Sequence, residues 1–157
     1  MKDMERLVKL LIDKKKTIAT MESCTGGYMA SEITNVEGAS DILKFSAITY
    51  SNEFKIRMGV DSEIIDKYSV YSIEVAKDMS KKISDYTGSD YGVGITGKIN
   101  RVDKENMYGS DNIVYVSIYD RGNDKYTTMS IDTIDGSRKE NKEMIVRNIV
   151  LVLLSLI

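Results

Sequence analysis

The sequence predicts an α/β domain, a three-layer α/β/α sandwich built on a mixed sheet. Two observations lead there. Segments with apolar residues at helical spacing alternate with strand-like apolar runs in the order α-β-α-β-α-α-β-β-β-α. The last two strands are joined by a tight turn, so an antiparallel pair joins strands that otherwise alternate with helices. The length of 157 residues, 42% apolar and 29% charged, is that of one soluble domain with a real core, and 1–157 is read as a single unit.

Proline is absent, so Gly and Asx residues punctuate the chain. Met4, Leu7, Val8, Leu10, Leu11 and Ile12 give a first helix over about 3–14. Thr17 to Met21 reads as a short buried strand. Glu22 to Gly27 is a tight turn, and a second helix begins at Tyr28. After a loop at 35–40, Ile42 to Tyr50 is strand-like. Ser51 or Asn52 then caps a helix ending at Gly59. A short helix spans about 62–67. A longer one, 72–86, carries the stripe Ile73, Val75, Ala76, Met79 and Ile83, with Glu74 in its first turn. Tyr91 to Thr96 is a strand whose Gly92 and Gly94 imply close packing on one face. Residues 97–112 are a long polar loop, a length that is often functional. Strands 113–119 and 125–131 form a hairpin around 120–124, and 137–157 is the last helix.

Composition excludes several chemistries. There is no His, which removes the Ser-His-Asp triad, the Cys-His pair and His-based zinc sites. The single Cys24 permits no internal disulfide or Cys cluster and suits a reducing cytoplasm, and hydrolysis run on Ser, Thr, Lys, Tyr and carboxylates is expected to need neither metal nor cofactor. Net charge is −2, with no basic footprint for nucleic acid or an anionic membrane. The apolar run 149–157 is far short of the ~20 residues of a membrane span. It reads as a buried terminal helix, or as an interface of a homo-oligomer. No secretory leader is expected from the charged segment 1–16.

The chemistry-bearing stretch is the strand, the turn Glu22-Ser23-Cys24-Thr25-Gly26-Gly27 and the helix after it. A hydroxyl there sits at a strand's C-terminal edge beside the free N–H groups of a helix start, which can bind an anion or an oxyanion. A turn in which Ser23 or Thr25 merely caps the helix is the simpler alternative. A serine nucleophile without His needs another base, and lysine is the usual one. Its ordinary pKa of roughly 10.4 must fall toward about 7–8. Lys14, Lys15 and Lys16 read as solvated. Lys55 differs because it follows Tyr50-Ser51-Asn52-Glu53 at a strand-to-helix junction.

Taken together, these motifs resemble the C-terminal domain family of the competence/damage-inducible protein CinA, whose characterised members are nicotinamide mononucleotide (NMN) amidohydrolases. The resemblance runs through Thr20 to Gly27, Thr49 to Lys55, Gly59-Val60, Val70 to Ala76 and Ile95-Thr96-Gly97, to Gly136-Ser137-Arg138 before the last helix. It implies that Ser23 is the nucleophile and Lys55 its activator. It further implies that Thr25, Gly26, Gly27, Tyr50, Thr96, Gly97 and Arg138 bound a small nucleotide substrate, with N–H groups at 25–27 taking the oxyanion. Residue by residue, core packing for Tyr50, a strand-end cap for Thr96 and a solvated charge for Arg138 are the alternatives. Cys24 reads as a small buried residue.

One segment departs from the family. Where the family carries a Gly/Pro-rich loop after Thr-Gly, this chain has Lys98-Ile99-Asn100-Arg101-Val102-Asp103-Lys104, closing with Gly109-Ser110-Asp111-Asn112. Val102 and Asp103 reach positive φ at a higher cost than glycine, and Asn100 and Asn112 tolerate it best. The loop adds Lys98, Arg101 and Lys104, of which Arg101 best suits a phosphate. The leading expectation is an NMN deamidase using a Ser–Lys pair. The rival is a weak or silent family member that binds a nucleotide or a partner.

Overall fold

The structure, a computed structural model, describes residues 2–157. In chain order the elements are α1 (Lys2–Lys14), β1 (Ile18–Glu22), α2 (Tyr28–Thr34), β2 (Leu43–Ile48), α3 (Asn52–Arg57), α4 (Ser62–Tyr68), α5 (Ile73–Thr87), β3 (Tyr91–Gly97), β4 (Ile113–Asp120), β5 (Lys125–Asp132) and α6 (Arg138–Leu156). Each expected element is present. The expected loop at 35–40 runs into a short 3-10 turn, Ala39–Asp41, entered through Gly38 at φ +89.

Side-chain caps set the helix starts. Ser51 accepts from the Phe54 N–H, and Ser72 from the Val75 N–H. Ser137 and Glu140 form a reciprocal capping box at the start of α6. Each such cap is worth about 1 kcal/mol.

The sheet has the strand order β2-β1-β3-β4-β5. β1 is parallel to both β2 and β3, and β4 and β5 run antiparallel, so the sheet is mixed as expected. Its two faces carry separate cores. Ile18, Val93 and Ile95 point toward α1, α2 and α6, joined by Leu7, Leu11, Met29, Ile33 and Ile149. Ala19 and Met21 point the other way, toward Val75, Met79 and Ile83 of α5. The period-two alternation of a strand therefore feeds both helix layers.

The packing implied by Gly92 and Gly94 is that of α5 on β3. A Cβ on Gly92 would stand 2.0 Å from the Ser80 carbonyl oxygen, and one on Gly94 would stand 2.4 Å from that of Ala76. The apolar end of α6 is mostly core: Ile149, Val150 and Leu153 are fully buried, while Leu151 and Leu156 stay exposed. No helix among the described residues is long and apolar enough to cross a membrane.

This topology creates one special place. The chain leaves β1 toward β2 on one side, and leaves β3 toward β4 on the other. Adjacent parallel strands whose continuations part in this way leave a crevice at their C-terminal ends. The register Glu22↔Ile95 puts Ser23 and Thr96-Gly97 at that crevice.

Candidate active site

Ser23 is the first residue beyond β1, held by a bond from its N–H to the Ile95 carbonyl at 3.0 Å. The turn after it needs left-handed backbone at Gly26 (φ +60) and Gly27 (φ +92), where a Cβ is strained. Its scaffold is Glu22, which is fully buried. The Glu22 carboxylate accepts from the Met29 and Ala30 N–H groups, both at 3.0 Å, and from the hydroxyls of Thr25 at 2.7 Å and Thr20 at 3.0 Å. One side chain thus satisfies the open end of α2 and freezes the turn that presents Ser23. Sequence reasoning missed this role. The available signal was a carboxylate closing an otherwise uncharged strand.

Lys55 reaches the same point from α3. Thr49 continues β2 alongside β1 through a bond from its N–H to the Glu22 carbonyl at 2.8 Å, and Ser51 then turns the chain into the helix. Lys55 is 2% exposed, with its Nζ 3.0 Å from Ser23 Oγ and 2.8 Å from the Thr49 carbonyl oxygen. Burial brings its pKa down to about 8. The Asp103 carboxylate opposes that shift. Cys24 stays a neutral thiol, because burial pushes it up to about 12. At neutral pH a useful fraction of Lys55 is therefore an amine with a lone pair, facing a hydroxyl.

A cleft of about 250 Å³ opens beside Ser23. Of the residues expected around a substrate, Tyr50, Gly97 and Arg138 line it. Tyr50 is 65% exposed, which removes its reading as core. Arg138 spans the cleft wall, donating to the Ile99 carbonyl at 3.1 Å and to the Tyr50 hydroxyl at 3.4 Å. Thr25, Gly26, Gly27 and Thr96 do not line it. The Thr25 hydroxyl is spent on Glu22, and that of the buried Thr96 donates to the Val70 carbonyl at 3.0 Å, as a strand-end cap does. Gly26 is corrected as an oxyanion donor, since its N–H is bonded to the Ser23 carbonyl at 2.9 Å.

The rewritten loop supplies the opposite wall with Lys98, Ile99, Arg101, Val102 and Asp103. Asn100 takes the left-handed conformation expected of it (φ +54), whereas Asn112 does not and Gly109 does. Lys98 is 3% exposed and paired with Asp111 at 3.1 Å, with its ammonium 4.9 Å from the Tyr71 ring centroid. It is a structural cation. Tyr71 and Asp103, bonded to each other, were not anticipated, because only the fold brings residue 71 to the loop. Among the described residues no group of three or more His, Cys, Asp or Glu is placed to hold a metal ion.

These features define an α/β domain with a buried serine–lysine pair at the C-terminal edge of a mixed sheet. The chain belongs to the CinA C-terminal domain family, whose profile matches residues 2–157. A competence-damage inducible relative in Clostridium novyi is 36% identical over 144 residues, covering 91% of this chain and 34% of its own. One in Clostridium kluyveri is 42% identical over 119 residues, 75% of this chain and 29% of its own. The matched part is thus about a third of these relatives' length. Among solved structures, the competence or damage-inducible protein of Enterobacter asburiae superposes with a TM-score of 0.89 at 22% identity, covering 98% of this chain and 95% of that one. CihA of Agrobacterium tumefaciens gives 0.83 at 25% identity, covering 98% and 95%.

Proposed function

We propose that the domain is an amidohydrolase that converts the carboxamide of NMN to the carboxylate of nicotinate mononucleotide, releasing ammonia. The observation that carries this reading is the 3.0 Å approach of the desolvated Lys55 amine to Ser23 Oγ in a chain without histidine. Neutral Lys55 takes the Ser23 proton as Oγ attacks the amide carbon. The oxyanion is assigned to the turn after Ser23, where the N–H groups of Thr25 and Gly27 have no backbone partner among the described residues. The Lys55 ammonium then returns the proton to the departing nitrogen. A water deprotonated by Lys55 attacks the acyl carbon, and the acid leaves with Ser23 restored. Lys55 is anchored on the Thr49 carbonyl throughout.

The phosphate end is assigned to the cleft's guanidinium groups, Arg101 and Arg138. The test is ammonia release from NMN by the purified chain, beside nicotinamide and nicotinamide riboside. Release that is absent in Ser23→Ala supports the reading, and release unaffected by that change overturns it. A second reading, a nucleotide-binding domain with little turnover, draws on the side chains of loop 98–104 that stand where the family has glycines. It predicts NMN binding without ammonia release.

A further inference from the structure

The cleft beside Ser23 keeps its two signs of charge apart. Arg101 and Arg138 line it, and neither is within ion-pair distance of a carboxylate among the described residues; Lys98, by contrast, is neutralised by Asp111. Asp103 lines the same cleft, and its carboxylate is held only by neutral donors. These are the Tyr71 hydroxyl, the Glu105 N–H at 3.0 Å and the Asn106 side-chain amide at 3.3 Å. Partial burial works against its charge, but those bonds hold the carboxyl below its ordinary range, so it is ionised at neutral pH. Burial and the Asp103 carboxylate push the Tyr71 phenol up, so it remains a donor. The result is an ionised carboxylate lining a small cleft, with no cation in direct ion-pair contact among the described residues.

A ligand that suits this cleft carries both an anionic group for the arginines and a cationic group for Asp103. Resting on the reading above, the carboxamide carbon sits at Ser23 Oγ and the phosphate at the guanidinium groups. The aromatic ring then lies between them, against the wall formed by Tyr71 and Asp103. We infer that Asp103 is a specificity-determining residue whose carboxylate selects carboxamides borne on a cationic, quaternary pyridinium ring over those on a neutral ring. The selection is electrostatic. Two unit charges about 5–6 Å apart, in surroundings between protein and water in polarisability, differ from a neutral pair by roughly a factor of ten or more in binding.

The test compares NMN with its neutral-ring counterpart, the benzamide C-ribonucleotide, which keeps carboxamide, ribose and phosphate. Dissociation constants are measured by calorimetry for the wild-type chain, Asp103→Asn and Asp103→Glu. The wild type is expected to favour NMN by about tenfold or more. Asp103→Asn, which can still accept from Tyr71, should weaken NMN about tenfold and the neutral analogue less than twofold. Asp103→Glu, which keeps the charge, should retain most of the preference. Equal weakening of both ligands in Asp103→Asn would reduce Asp103 to a loop scaffold and overturn the inference. So would unchanged NMN binding in that variant, or loss of the preference in Asp103→Glu. A wild-type chain that binds neither ligand defeats the NMN reading itself, an outcome distinct from NMN binding that ignores residue 103.

Discussion

The Lys55 amine is gripped from behind by the Thr49 carbonyl at 2.8 Å while it faces Ser23 Oγ at 3.0 Å. A neutral amine has two N–H donors and one lone pair. One donor is spent on Thr49, which leaves the lone pair of the neutral form available to accept from the hydroxyl. Because Thr49 is also tied to the Glu22 carbonyl, the anchor and Ser23 belong to neighbouring strands of one sheet. The pair is thereby pre-organised without a third side chain to orient the base.

Replacing Ser23 by Ala removes the hydroxyl and little else. NMN deamidation should fall by at least about a thousandfold, to the level left by binding and oxyanion donors. Thermal unfolding of the variant should stay within a few degrees of wild type, because the Ser23 backbone bonds are kept. Scanning calorimetry beside the ammonia assay checks both halves.

The pH profile follows from Lys55. With its pKa brought down to about 8 by burial, kcat/KM should rise with pH through about 8 and then level off. Lys55→Arg cannot supply a neutral base near that pH and should be almost inactive. Asp103 favours the ammonium form, so in Asp103→Asn the rising limb should move to lower pH. A limb that moves upward contradicts the assignment.

Lys55 also makes stability depend on pH, with a sign that can be worked out. Its folded pKa of about 8 lies below its ordinary value of 10.5, so the unfolded chain binds more protons between the two. Stability from this group is at its minimum below about pH 8 and rises as the pH climbs toward 10.5. Lys55→Met leaves the Thr49 carbonyl unbonded but removes the buried charge. At pH 7 it should gain about 1–3 kcal/mol, with the gain fading above pH 10. Denaturant titrations of both chains at the two pH values measure this, and an inactive variant that is no more stable at pH 7 refutes it.

Glu22→Gln places an amide donor against four donors, two N–H groups and two hydroxyls. A loss of about 2–4 kcal/mol is expected. At roughly 2–4 °C per kcal/mol this lowers Tm by about 5–15 °C. Activity at low temperature should also drop, since the turn holding Ser23 loosens. A Tm shift below about 2 °C is incompatible with the capping role.

Arg101→Ala tests the phosphate assignment. KM for NMN should rise about tenfold, with kcat little changed and nicotinamide riboside unaffected. The same KM for NMN in both chains removes Arg101 from the site.

Much of the fold is legible in the chain because it rests on local chemistry. Helical apolar periods mark α1 and α5, Ser51 or Asn52 announces the start of α3, and Gly92 and Gly94 announce close packing on one face of β3. The motifs around Ser23 and Lys55 mark both as candidates in a chain without His, and their pairing is what the family resemblance implies. Distance in space is what such reasoning lacks. Only the strand order, with β1 between β2 and β3, brings Lys55 to 3.0 Å from Ser23 and buries it enough to lower its pKa. Only the packed structure spends Thr25, Thr96 and the Gly26 N–H on internal bonds and so takes them out of the cleft. Desolvation and hydrogen-bond partnership depend on neighbours far apart in sequence, and these decided that Asp103 and Tyr71 line the cleft beside Ser23.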